Sequence, residues 1–305
     1  MLLFCRATAS AGDPPNLMKA IAMIAANTGT FTESTSAEVV NARHAACDTP
    51  RLAVVISALV RHLHAFAKEV HLSQDEWGLA IDFLTKTGKI CSAQRQEFIL
   101  LSDVLGFSML VDAINNRRPD GATENTVFGP FHVENAPKRQ MGDTICLDGK
   151  GESCLFEGVI QDLTGKPISG AIVDVWSDNA DGFYDVQQPG IQTPGNNRGV
   201  FETAADGRYS FVGIKPVSYP IPDDGPVGQL LGHLGRHPFR PAHMHYLISA
   251  PGFQRLVTHT FVGGDEYLTS DAVFGVKASL IAPFQRLEGH ETQWRSVFNF
   301  VLTPA

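Results

Sequence analysis

Two histidines two residues apart, in Arg240-Pro241-Ala242-His243-Met244-His245-Tyr246, are the residues of this chain best placed by type and spacing to do chemistry. The run reads as a β-strand. Residues i and i+2 of a strand point to one face, so both imidazoles can reach a single metal ion. Met244 then suits the opposite, core-facing side, and Arg240 and Pro241 set a fixed positive charge and a rigid entry beside the pair. His-x-His also occurs on solvated strand faces with no metal, so the pair alone does not decide. Two imidazoles do not fill a coordination sphere, and further ligands must come from elsewhere.

Carboxylate candidates include Asp223, Asp224 and Asp265, none in a context that directs it to the pair. Tyrosine is the more informative type, because only five occur and two have unusual settings. Tyr184 lies in the turn-rich run Asn179-Ala180-Asp181-Gly182-Phe183-Tyr184-Asp185, directly after the strand-like segment 171–176. Tyr219 lies in Ser218-Tyr219-Pro220-Ile221-Pro222, where two prolines stiffen an extended segment that can hold a phenol toward a cavity. A tyrosine that packs its ring and hydrogen-bonds its hydroxyl is the ordinary alternative at each position.

The runs Gly182-Phe183-Tyr184-Asp185, Gly207-Arg208-Tyr209-Ser210-Phe211, Tyr219 to Pro226 and Gly235 to Gly252 together resemble the intradiol ring-cleavage dioxygenases, from about residue 39 to the C-terminus. Asp181 to Gln187, Thr126 to Phe131 and Gly264 to Lys277 resemble most the branch acting on benzene-1,2,4-triol. The resemblance implies one Fe(3+) per subunit, held by Tyr184, Tyr219, His243, His245 and a solvent hydroxide. Anionic phenolates suit a hard ferric ion, and a cation at bonding distance drives a phenol to its phenolate. Two phenolates and a hydroxide also balance the charge, which makes the centre tolerable in a partly buried pocket. By the same resemblance Tyr219 is the ligand that leaves when the diol binds and accepts a substrate proton, while Tyr184 stays.

Arg240 is then a catalytic residue that stabilises charge developing on ring and oxygen; a surface arginine paired with a carboxylate is its alternative. His259 stands where many catechol-cleaving relatives are expected to carry glutamine, so the hydrogen bonding around the metal is expected to differ there; a core histidine is the alternative. Leu79 and Asp82, three apart on one helix face, are implied to look into the substrate pocket. Asp82 would accept a hydrogen bond from a third ring hydroxyl and discriminate against substrates lacking it, unless it serves a salt bridge. Val127, Phe128, Gly129, Pro130, Ile221, Pro222 and Val273 would supply apolar walls. The implied reaction cleaves the triol between its vicinal hydroxyls with O2, giving 3-hydroxy-cis,cis-muconate, the enol form of maleylacetate. Catechol or a substituted catechol is the alternative substrate. Two other classes stay open: a zinc hydrolase using His243, His245 and a carboxylate, for which no third ligand or water-activating glutamate is well placed, and a non-catalytic β-sandwich binding module with a tyrosine-lined groove.

The elements that must position these residues divide near residue 120. Before it, segments 34–47, 50–70, 73–90 and 94–117 carry apolar residues at helical spacing, such as Leu52, Val55, Ile56, Leu59 and Leu63. Asp48-Thr49-Pro50 and Ser73-Gln74-Asp75-Glu76 are expected helix starts. After it, short β-rich runs at 155–160, 171–176, 208–212, 243–249, 256–262 and 296–302 alternate with Gly, Pro, Asn and Asp. The expected fold is α+β: an extension (1–30), a helical dimerisation or linker domain (31–120) and a catalytic antiparallel β-sandwich (121–305). A homodimer through the N-terminal helices is implied by the resemblance.

A net charge of -8 with 18% charged residues argues against nucleic acid or an anionic membrane surface as partner. Five cysteines without CxxC spacing suggest neither a disulfide framework nor a zinc cluster, which fits a reducing cytoplasm. No apolar run approaches a membrane span of about 20 residues. The first residues, Met1 to Arg6, make a poor signal peptide, and Met18 or Met23 is a possible alternative start.

Overall fold

The computed structural model describes residues 29–92 and 95–305, so the expected extension with Met18 and Met23 lies, but for its last two residues, outside the described part. The chain forms two compact units, divided between Phe83 and Leu84.

Residues 29–83 hold α1 (Ser36–Ala42), α2 (Pro50–Glu69) and most of α3 (Gln74–Ile90), which runs across the boundary. Pro50 opens α2 at a position where its missing N–H costs nothing. Ser73 and Glu76 form a capping box at the start of α3: Glu76 N donates to Ser73 Oγ at 3.2 Å, and Ser73 N donates to Glu76 Oε2 at 2.9 Å.

The second unit begins with α4 (Glu97–Val104) and α5 (Phe107–Asn115). The expected single helix over 94–117 is broken by Gly106, whose φ of 70° interrupts it between the two. Both helices belong to the compact unit that also holds the strands. The reason is a set of bonds to α6 (Pro226–His233) and its flanks. Val227 N donates to Glu97 Oε1 at 3.2 Å, Arg95 is paired with Asp224, and Arg236 Nη1 donates to Val104 O at 2.6 Å.

The strands are β1 (Ser153–Asp162), β2 (Ile172–Trp176), β3 (Arg198–Glu202), β4 (Arg208–Ile214), β5 (Tyr219–Pro220), β6 (Phe239–Arg240), β7 (His243–Ser249), β8 (Leu256–Val262), β9 (Ile281–Ala282), β10 (Phe284–Arg286), β11 (Trp294–Val297) and β12 (Phe300–Leu302). One sheet has the order β10-β11-β1-β12 with β4 also on β1; the other is β3-β2-β7-β8-β9; β5 and β6 form a short ladder. The pairings are antiparallel except β1 with β11 and β12, and β8 with β9. These sheets share one core that includes Val173, Phe156, Phe211, Met244, Tyr246 and Ile248. β7 therefore sends Met244, Tyr246 and Ile248 into the core, and strand alternation turns His243 and His245 to its other face. Among the described residues, no helix is long and apolar enough to cross a membrane.

Candidate metal centre and active-site cavity

The outer face of β7 is not solvated, because His243 and His245 are only 1% and 2% exposed. Two loops cover it. The loop after β2 brings Tyr184, and the segment entering β5 brings Tyr219; both rings are buried. Arg198 Nε donates to Asp185 Oδ1 at 2.7 Å and Tyr184 N to Gln187 Oε1 at 2.9 Å, which pins the first loop at its tyrosine.

The four side chains meet at their polar tips. Tyr184 Oη lies 2.9 Å from His245 Nε2 and 3.3 Å from Tyr219 Oη, which is 3.5 Å from His243 Nε2; the two Nε2 atoms are 3.2 Å apart. Donors sharing an ion with bonds of about 2.1 Å stand about 3.0 Å apart at right angles and about 3.4 Å apart at tetrahedral angles. The observed separations match the edges of such a polyhedron, so the residues fit a metal ion. His243 Nδ1 donates to Pro241 O at 2.7 Å, which leaves Nε2 as the ligand nitrogen. Trp176 stacks on His245 at 4.7 Å and 13°, and Phe131 on Tyr184 at 4.5 Å and 26°. On the far side of His245 stands Gly129, with φ of 76°; a Cβ there would lie 3.0 Å from His245 Cε1.

Electrostatics prepares the same atoms. Burial, reinforced by Arg240, lowers the pKa of His243 to about 3, and burial with the neighbouring His259 and His243 takes His245 well below its ordinary value. Both imidazoles are therefore neutral, the form that ligates. Burial raises the pKa of Tyr184 and Tyr219, so their phenolates call for a cation between them.

Arg240 is buried beside the centre, with Nη1 3.1 Å from His243 Nε2. Burial opposes its charge, but Asp271 overrides it: Nε donates to Oδ1 at 3.1 Å and Nη2 to Oδ2 at 3.4 Å. His259 on β8 stands directly opposite His245, with ring centroids 4.1 Å apart, and stacks on His243 at 4.7 Å. Among the described residues, His243, His245 and His259 form a three-histidine cluster whose ligand atoms lie within 4.8 Å of one another.

A cavity of about 540 Å³ opens on this centre. Tyr219, Arg240, Val127, Phe128, Gly129, Pro130, Ile221, Pro222 and Val273 all line it. Its helical wall comes from α4 and α5 and includes Leu100, Asp103, Ser108 and Val111. Leu79 and Asp82 belong to the other compact unit, where both are exposed. Leu100 and Asp103 repeat their three-residue spacing inside the wall. Burial raises the pKa of Asp103, while a hydrogen bond from Ser108 and the charge of Arg240 pull it back.

Several residues that shape the site escaped the sequence reading. Asp103 and Asp271 are among them, as is His132, whose Nε2 lies 2.9 Å from Asp174 Oδ2 and whose ring meets the Trp176 ring edge-on at 4.7 Å. Asp271 stands within a run noted for its resemblance, but nothing in its spacing marks it as the partner of Arg240. Two of the three carboxylates considered as ligands have other partners: Asp224 pairs with Arg95, and Asp265 accepts hydrogen bonds from Ser218 and Ala242.

Comparison with known proteins gives two family matches, a dioxygenase model over residues 127–304 and a catechol dioxygenase N-terminal model over residues 49–123. The chain is 59% identical over 260 residues to a hydroxyquinol 1,2-dioxygenase of Rhizobium sp. (strain MTP-10005), covering 85% of this chain and 88% of that one. It is 52% identical over 259 residues to a 6-chlorohydroxyquinol 1,2-dioxygenase of Cupriavidus pinatubonensis, covering 84% and 93%. Among solved structures, a hydroxyquinol 1,2-dioxygenase from Pseudomonas putida DLL-E4 superposes with a TM-score of 0.86 at 43% identity, over 90% of this chain and 99% of that one.

Proposed function

Because this chain belongs to the intradiol ring-cleavage dioxygenases, we propose that it cleaves benzene-1,2,4-triol (hydroxyquinol) between its vicinal hydroxyls, with O2 as co-substrate. The product is 3-hydroxy-cis,cis-muconate, the enol form of maleylacetate. The observation that carries this reading is the convergence of two phenols and two imidazoles at the floor of a cavity that also holds Arg240.

Tyr184, Tyr219, His243 and His245 would hold one Fe(3+). When bound, ferric iron supplies a Lewis acid that withdraws electron density from a deprotonated diol and so opens its ring to O2. The protein's own groups do the rest. Tyr219, at the cavity wall, accepts a substrate proton at Oη, while Tyr184, under Phe131 and outside the wall, keeps its place. Arg240 holds a fixed positive charge where negative charge gathers on ring and oxygen. Phe128, Pro130, Ile221, Pro222 and Val273 exclude water from that region and strengthen the effect. We assign the third hydroxyl of the triol to Asp103, in the role first considered for Asp82. A part-buried polar partner of this kind disfavours a diol that leaves it unpaired.

Leu59, Leu63 and Phe66 on α2 and Val70 at its C-terminal cap recur every three or four residues and are about half exposed, which supports a homodimer through the helices. Sedimentation as a monomer at micromolar concentration would count against it. Cys47, Cys91, Cys146 and Cys154 are all free, in keeping with a cytoplasmic enzyme.

Oxygen uptake with the triol and with catechol tests the substrate assignment; equal or faster turnover of catechol refutes it. One specific observation favours a second reading. Three clustered imidazoles, His243, His245 and His259, also suit zinc. Metal analysis with visible absorption separates the two, since phenolate-to-iron charge transfer gives a wine-red protein and a zinc site is colourless.

A further inference from the structure

The segment 265–275 contacts both halves of the centre without offering it a ligand. Asp265 Oδ2 accepts from Ser218 Oγ at 2.5 Å and from Ala242 N at 3.0 Å, and Oδ1 accepts from Tyr267 N at 2.9 Å. Ser218 immediately precedes Tyr219, and Ala242 immediately precedes His243. One carboxylate oxygen thus joins the two backbone segments that deliver a phenol and an imidazole to the same point.

Asp271 joins a different set. It receives Nε and Nη2 of Arg240, and it also accepts from Val273 N at 3.2 Å and Gly275 N at 2.8 Å. Those amide bonds fold the carboxylate's own turn around it, so its position does not depend on the guanidinium alone. The pair is almost fully buried, with side chains 5% and 2% exposed, and nothing in its bonding touches Ser218 or Ala242. Each carboxylate therefore has its own partners.

We propose that these two aspartates divide the positioning of the site. Asp265 holds Tyr219 in register with His243 and so governs how firmly the metal is kept. Asp271 aims the Arg240 guanidinium and so governs the rate of ring opening. The division rests on the ferric dioxygenase reading above. Both are positioning residues, since neither lines the cavity nor stands among the four ligand residues.

The test compares iron-loaded wild type with four variants, reading iron loss to a chelator by visible absorbance, turnover per bound iron at saturating triol, and melting temperature. Ser218→Ala and Asp265→Asn are expected to release iron about tenfold faster or more, with a much smaller fall in kcat per bound iron than Asp271→Asn. Asp271→Asn is expected to retain iron and lose about 100-fold in kcat. Should an unpaired Arg240 prevent that variant from folding, Gly275→Ala perturbs the pair without removing a charge, because its Cβ would stand 2.9 Å from Arg240 Nη2 and 3.1 Å from Asp271 Oδ2. Its expected result is the same, retained iron and lowered kcat. Parallel loss of iron and rate in all variants, or no change in any, overturns the division while leaving the ferric reading intact. A wild type that takes up no iron overturns both.

Discussion

Replacing Asp103 tests the reading of the cavity from two independent directions. In Asp103→Ala the third hydroxyl of the triol loses its partner. A hydrogen bond to a charged group contributes about 1.5–3 kcal/mol, and about 1.4 kcal/mol is a tenfold change. Asp103 is only part-buried and has Ser108 as a second partner, so the lower end applies. The expected fall in kcat/KM for the triol is therefore about tenfold. Catechol lacks the third hydroxyl and should keep its rate. Asp103→Asn tests the electrostatics. Burial raises the folded pKa above the ordinary 3.8, so between that value and the raised one the folded chain binds more protons than the unfolded chain. Stability conferred by the protonated form is complete below 3.8 and is lost as pH rises through the folded pKa. The Asn variant should accordingly melt above wild type at neutral pH, with the gap closing below pH 3.8. Steady-state oxygen uptake on both substrates, with melting curves across pH, provides the measurements. An equal fall on triol and catechol, or an Asn variant no more stable at neutral pH, would refute the reasoning.

Tyr184→Phe and His243→Ala should each abolish iron retention and the wine-red colour, and full iron with full activity in either would disprove the ligand set. Gly129→Ala forces a side chain into the left-handed region at about 1–2 kcal/mol and presses on His245; a fall in melting temperature of about 2–8 °C with weakened iron retention is expected, and an unchanged melt with unchanged retention would contradict it. Phe156, stacked 5.0 Å from Phe211 in the sandwich core, should cost about 3–5 kcal/mol on truncation to Ala, measured as a lower urea midpoint with turnover per bound iron preserved.

How much of this site could be read in the sequence depends on how local its cause is. His243 and His245 were legible because strand alternation is a property of neighbouring residues, and the placement of Met244 in the core follows from the same rule. Tyr184 and Tyr219 stood out through the turn and the prolines beside them. Asp103 was not separable from Asp82 by such rules, since Leu79-Ala80-Ile81-Asp82 and Leu100-Leu101-Ser102-Asp103 share one spacing and both lie on helices. That α4 lines the cavity depends on long-range bonds such as Glu97 to Val227, 130 residues apart. The Arg240–Asp271 pair and the contact of His259 with His245 are likewise products of tertiary closure and strand register. Gly106 was visible as a residue, but only its backbone angle shows that it ends one helix and begins the next.

The two-faced character of β7 has a consequence for folding quality. A slip of one residue in its pairing with β2 and β8 would send His243 and His245 into the apolar core and turn Met244 outward. Such a molecule would lack an assembled set of metal donors. On the proposed ferric reading, the colour of the loaded protein would count correctly registered molecules, and the ratio of iron to chain in a preparation would audit a strand alignment that circular dichroism would miss.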